Sequence, residues 1–350
     1  MLQADRADVT ASRKGDHLRI NVERDVGAKG VSTGFERWRF EHCALPELDL
    51  DRVDCSTMLF GRSLKAPFLI SCMTGGTDEA RAINESLARA AQRAGFAMGV
   101  GSGRVLLERP ELLPTFDVRE LMPDVPLLAN VGAVQLNCGY DADDCRRLVE
   151  MLRADALVLH LNALQEAVQV EGDTCFSGLL AKISALCGAL GVPVVVKEVG
   201  WGIAPSEVKR LVEAGVAAID VAGAGGTSWT QVERERLRDE KRRRVAGTFA
   251  GWGIPTAECV ASTRDAAPSA TIVASGGIRD GIDAAKAIAL GADAVGVAGN
   301  FLRAAVLGPQ AADDLAWELA TTLRIAMFCI GARTLDELRT TTRLRRTERA

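Results

Sequence analysis

Short apolar runs, each closed by glycine or polar residues, recur along the chain at 67–71, 96–100, 127–131, 156–160, 193–197, 217–221, 271–275 and 294–298. Runs of four or five apolar residues without polar alternation predict strands buried on both faces of a parallel sheet. Between most of them, apolar positions return every three or four residues and predict helices over 82–94, 141–153, 176–190, 205–214, 256–267 and 280–290. Thr256 and Asp280 open the last two and suit N-capping. Strands alternating with helices imply parallel pairing through right-handed crossovers. Eight strand runs match a (β/α)8 TIM barrel. Chemistry-bearing residues follow all of them, which favours closure over an open doubly wound sheet, where ligand groups gather at one switch point.

Residues 1–45 hold no sustained period and read as an N-terminal arm closing over the active site, with the barrel occupying 46–350. Two connections, 101–125 and 222–254, exceed ordinary βα loops and predict lids or binding loops. Within the second, the charged run 233–244 reads as a solvated helix or a mobile lid.

Composition narrows the classes. Hydrophobic residues at 48% and charged residues at 25% fit an ordinary globular protein, and a net charge of -4 gives no reason to expect nucleic acid as partner. The nine cysteines form no C-x-x-C pair, which fits a reducing compartment better than a disulfide framework or structural zinc. The first thirty residues lack an apolar signal segment and no later run is long enough to cross a bilayer, so a cytoplasmic protein without membrane attachment is expected.

The candidate chemistry lies just beyond the strands. Ser275-Gly276-Gly277-Ile278-Arg279 follows the seventh run and Ala298-Gly299-Asn300 the eighth, where this barrel commonly cradles phosphate on backbone N–H groups. Met73-Thr74-Gly75-Gly76, Gly101-Ser102-Gly103-Arg104, Asn130 and Lys197 supply hydroxyl, amide and backbone donors plus one cation, a set suited to the edges of a flavin ring. Lys197 equally suits a Schiff base, or an ion pair with Glu198 at the barrel rim. After the fourth run, His160, Asn162, Gln165 and Glu166 crowd into seven residues, and a carboxylate there suits magnesium shared with phosphate oxygens. Only three histidines exist, His17, His42 and His160, and the stretch after the sixth run, 223–229, holds none. A hydroxy-acid flavin oxidase would need a histidine base there. In the arm, Arg13, Lys14 and His17 could close over a diphosphate.

Taken together these motifs resemble the type 2 isopentenyl diphosphate isomerases, flavin-dependent barrels, nearly end to end. The resemblance rests on Arg13-Lys14 and His17, Met73-Thr74-Gly75-Gly76, Ser102 with Arg104, Ala129-Asn130-Val131-Gly132-Ala133, and His160-Leu161-Asn162 with Gln165-Glu166. It continues through Gln169 with Glu171-Gly172-Asp173, Val196-Lys197-Glu198-Val199-Gly200, Asp220-Val221 to Gly225-Gly226-Thr227 and Trp229, and Ser275-Gly276-Gly277-Ile278-Arg279. It implies interconversion of isopentenyl and dimethylallyl diphosphate with FMN and Mg2+, with NADPH as reductant of the flavin. By the same resemblance, FMN falls to Met73, Thr74, Gly75, Ser102, Asn130, Lys197, Thr227, Gly276, Gly277, Arg279, Ala298 and Gly299. Arg13, Lys14, Ser102, Arg104, His160, Asn162 and Gln165 face the substrate, with Gln165, His160 and Asn162 at the chemistry and Glu166 on the metal. The family assembles into tetramers or octamers, so a homo-oligomer is implied. Gly103, Ala163 and Val170 depart from the family pattern and loosen their loops.

Two rival classes remain: an FMN-dependent 2-hydroxy-acid dehydrogenase or oxidase with net electron transfer, and a non-catalytic flavin-binding protein. The missing histidine argues against the first and the Gln165-Glu166 pair against the second. An aldolase-like barrel using Lys197 would be colourless, whereas a flavoprotein is yellow.

Overall fold

The computed structural model describes residues 15–347. Its centre is a closed barrel of eight parallel strands: β1 Phe68–Ile70, β2 Ala97–Gly99, β3 Leu127–Gly132, β4 Ala156–Leu161, β5 Val194–Glu198, β6 Ala218–Asp220, β7 Thr271–Ala274 and β8 Ala294–Val297. Each pairs with its sequence neighbours and β8 returns to β1, so all eight expected runs are strands of one ring. The (β/α)8 architecture expected from the periodicity is therefore the one observed. The strands read as continuous apolar runs because one face fills the barrel and the other lies under helices. Leu69, Ala97, Leu128, Val158, Val195, Ala218 and Val273 share the barrel interior, while Phe68, Met98 and Leu157 belong to the larger outer core.

Helices α1 Asp78–Ala94, α2 Ala142–Leu152, α3 Ala163–Val168, α4 Leu179–Ala189, α5 Pro205–Glu213, α6 Trp229–Arg236, α7 Glu240–Thr248, α8 Thr256–Ala266, α9 Gly281–Ala289, α10 Gly299–Leu307 and α11 Pro309–Ile330 surround it. Asp280 caps α9 as expected, accepting from the N–H groups of Ile282 and Asp283. Thr256 does not cap α8; Pro255 is the N-cap, and the Thr256 hydroxyl instead donates to the Gly276 carbonyl at 2.6 Å. That bond ties the start of α8 to the glycine loop after β7.

Of the two readings of the long connections, lids or binding loops, the structure favours the second, since both send residues to the barrel mouth. Segment 101–125 folds into the short helix Arg104–Glu108 and two 3-10 turns, with Phe116 and Met122 fully buried, so beyond Arg104 it is packed core rather than a mobile flap. The charged run 233–244 is not solvated throughout, because Glu233 and Leu237 are buried. Residues 15–23 form a helix whose Ile20, with Val26, packs on Val232 and Trp229 of α6. The chain then crosses the mouth, where Ala28 N donates to Gly226 O and Ala257 N to Thr33 O.

Candidate active site

All the catalytic ends of the strands open into one cavity of about 1000 Å³, at the upper end of ordinary ligand pockets. Met73, Thr74 and Gly75 reach it from the β1 loop, Ser102 and Arg104 from β2, and Asn130 from β3. His160, Asn162, Gln165 and Glu166 reach it from β4 and α3, and Lys197 from β5. Thr227, Gly276, Gly277, Arg279, Ala298 and Gly299 close the ring from the last three loops. Seventeen residues singled out from the sequence thus share one space. Arg13 and Lys14 lie outside the described residues.

At the β4 end the polar groups form a connected set. Asn162, buried at the head of α3, donates from Nδ2 to Glu166 Oε1 at 2.7 Å and to Gln165 Oε1 at 3.3 Å. Glu166 Oε2 accepts from the Asp173 backbone N–H at 2.7 Å and from Gln169 Nε2 at 3.3 Å. These donors fix the carboxylate, and one carboxylate with phosphate oxygens and water suffices for magnesium, so Glu166 fits the metal role. Among the described residues no group of three His, Cys, Asp or Glu could hold a metal without help from such a ligand. Arg104 Nη1 stands 3.2 Å from both Asp173 Oδ2 and Gln135 Oε1, which aim its guanidinium across the mouth.

Glu233 is the residue that sequence reasoning missed. Its side chain is 1% exposed, yet it takes hydrogen bonds from His17 Nε2 at 2.8 Å, Gln165 Nε2 at 3.2 Å and Arg236 Nη1 at 2.5 Å. Burial opposes its charge, but the His17 hydrogen bond and charge, with Arg236 and Gln165, outweigh it and pull the carboxyl down to about 2. A signal was present. Trp229, Val232, Glu233 and Arg236 stand at i, i+3, i+4 and i+7, one face of α6, and the first two are apolar.

Lys197 makes no ion pair with Glu198, because successive strand residues point to opposite faces. Its ammonium donates instead to the Glu198 carbonyl at 2.7 Å. The Glu198 carboxylate gathers the backbone N–H groups of Val199, Gly200 and Trp201 at 2.6–2.7 Å, and desolvation pushes it up to about 7 against those bonds. Next to Lys197 in register is Asp220, 1% exposed and accepting from Ser275 Oγ at 2.5 Å. Burial raises its pKa, while the Lys197 charge opposes the shift. On the other side, His160 Nδ1 donates to Asn130 Oδ1 at 2.8 Å.

The glycine cradle has a different local cause from the one its sequence suggested. Gly276 and Gly277 adopt φ of +106° and +74°, and a Cβ on either would come within 2.2 Å of Gly223 O or 2.6 Å of Thr33 Cγ2. The missing side chains thus let the β6 and β7 loops and the arm stack backbone to backbone, which in turn leaves the cavity edge lined by main chain. Arg279 stands at the cavity edge with its side chain 67% exposed, its Nε donating to Asp283 Oδ2 at 3.0 Å.

These residues fit a flavin: amide and hydroxyl groups with one ammonium on one side, glycine-built main chain at the other. Asn162 Oδ1 and Ser71 Oγ, both buried on the cavity wall, find no hydrogen-bond partner among the described residues and are open to one from a molecule bound there.

The family model described as FMN-dependent dehydrogenase matches residues 9–106 and 148–345. Solved structures of a flavocytochrome b2 variant with pyruvate bound and a mandelate oxidase variant with an FMN adduct share the fold. Their TM-scores are 0.69 and 0.63, each at 20% identity, covering 94% and 93% of this chain and 82% and 94% of theirs. Nearer relatives carry the name isopentenyl-diphosphate delta-isomerase. The protein from Nostoc sp. is 53% identical over 94% of both chains, and that from Stutzerimonas stutzeri is 54% identical over 94% of this chain and 95% of its own. The Rickettsia akari protein is 47% identical over 93% and 95%. With its barrel, its cavity and these relatives, the chain belongs to the isopentenyl-diphosphate delta-isomerases, built on the fold of the FMN-dependent dehydrogenase family.

Proposed function

We propose that this chain interconverts isopentenyl diphosphate and dimethylallyl diphosphate, adding a proton at one carbon and removing one from another without net oxidation. The observation that carries the reading is the Asn162, Gln165 and Glu166 set, which lines the same cavity as the glycine cradle and is backed by the buried Glu233 behind Gln165. Reduced FMN, when bound, supplies an acid and base at the ring that an ordinary side chain lacks, since an unactivated alkene has a pKa far from that of any carboxylate or imidazole.

The protein's own groups do the rest. Glu233, held ionised, fixes Gln165 through its amide N–H, so that the carboxamide stays at the reacting end and can position or relay a proton. His160 and Asn162 line the same wall, the first oriented by Asn130. Lys197 places positive charge where negative charge on the reduced ring needs it. Glu166 would hold Mg2+, whose charge, with those of Arg104, Arg13 and Lys14, would offset that of the diphosphate. Most binding energy then comes from phosphate contacts remote from the reacting carbons, where it serves orientation.

The same reading assigns NADPH as reductant of the flavin, the cytoplasm as the location and a tetramer or octamer as the assembly, without nucleic acid or membrane partners. Exposed Leu307 and Trp317, at 82% and 68%, support an oligomer, and no described helix is long and apolar enough to cross a membrane. Incubating the protein with FMN, magnesium, a reductant and isopentenyl diphosphate should yield dimethylallyl diphosphate on product analysis. Flavin reduction by a 2-hydroxy acid with no such product would favour the oxidoreductase instead.

A further inference from the structure

We infer that Arg303 is the residue by which this chain distinguishes FMN from riboflavin, its guanidinium meeting the terminal phosphate that riboflavin lacks. The inference rests on the FMN reading of the cavity. Arg303 was not among the residues that the sequence singled out.

Two guanidiniums stand at the glycine end of the cavity, Arg279 and Arg303. Arg279 is committed: its Nε donates to the buried Asp283 carboxylate, so its charge is compensated within the chain. Arg303 has no such partner. Among the described residues no carboxylate lies within ion-pair distance of it, and its Nη2 donates to the Asn300 side-chain oxygen at 2.7 Å.

Arg303 is itself exposed, and what marks it out is its place beside a helix N-terminus. Arg303 lies in the second turn of α10 and folds back over the start of that helix, so that a Cβ placed on Gly299 would stand 3.5 Å from Nη1 and 3.7 Å from Thr227 Oγ1. Helix N-termini present unpaired N–H groups and positive potential, so a cation there is disfavoured and is normally found at the C-terminus. An anion between the cation and the N-terminal N–H groups reverses the sign of both interactions. A phosphate dianion is that anion: it takes the main-chain donors of the Gly276-Gly277 loop and of α10 on one side and Arg303 on the other. The uncharged ring system contributes nothing to this end, so the contact discriminates by phosphate alone.

Fluorescence titrations with FMN and with riboflavin test this on the whole chain. Arg303→Ala should raise the FMN dissociation constant about 10- to 100-fold, the loss of a charge-assisted bond, and leave that of riboflavin unchanged. Arg303→Lys should restore part of the FMN affinity, and Arg279→Ala should cost less than Arg303→Ala. Equal weakening of both flavins, or unchanged FMN binding, would overturn the assignment. A wild-type chain that retains neither flavin would instead refute the FMN reading beneath it.

Discussion

Glu233 and Glu198 show how one residue type takes opposite roles within one barrel. Glu233 meets the His17 and Gln165 side chains and a guanidinium, and stays ionised down to about 2; Glu198 meets only main-chain N–H groups and is pushed up to about 7. For Glu233 the unfolded chain binds more protons between its ordinary value of 4.5 and about 2. Its stabilisation is therefore complete above 4.5 and lost as pH falls through about 2, so Glu233→Gln should flatten the acid limb of a urea stability profile. For Glu198 the folded state holds the extra proton, so stability from that group falls as pH rises from 4.5 to about 7, and Glu198→Gln should remove that slope. At the chemistry itself, Gln165→Ala should lower turnover about 100-fold or more with FMN still bound, read by steady-state kinetics beside the flavin spectrum. Glu166→Gln should weaken diphosphate binding and raise the magnesium requirement about 10- to 100-fold, read by metal titration of activity. Unchanged values in either variant would remove that residue from its role.

At the scale of elements, what could be read from the sequence depended on burial. The eight strands were legible because parallel strands covered on both faces are short apolar runs, as 127–129 and 194–196 are. Glu233 was not, since its neighbours in the charged run hide the end of the short buried stretch 230–233. Segment 101–125 looked like a lid because its length says nothing of Phe116, whose ring fills the space that a side chain on Gly75 would take. The start of α1 at Asp78 was four residues earlier than periodicity placed it, fixed by Thr77, whose hydroxyl oxygen accepts from the Ala80 N–H at 3.1 Å. Thr77→Ala should therefore cost about 1 kcal/mol in a denaturant melt, and a change within error would show the cap to be idle.

For the molecule as a whole, closing the barrel brings groups from eight loops to one mouth, and the arm residues 26–33 bond across the glycine loops that the flavin edge would meet. The stretch after β6 carries glycines, Thr227, Ser228 and Trp229 and no histidine, so that loop offers no imidazole base for hydride removal. The decisive measurement is a count of turnovers per electron pair. Protein loaded with FMN is reduced once under anaerobic conditions, the excess reductant is removed, and isopentenyl diphosphate is added with magnesium. Many molecules of dimethylallyl diphosphate formed for each flavin, with the flavin still reduced at the end, is the result this account predicts. One molecule converted per flavin, with the ring left oxidised, would contradict it.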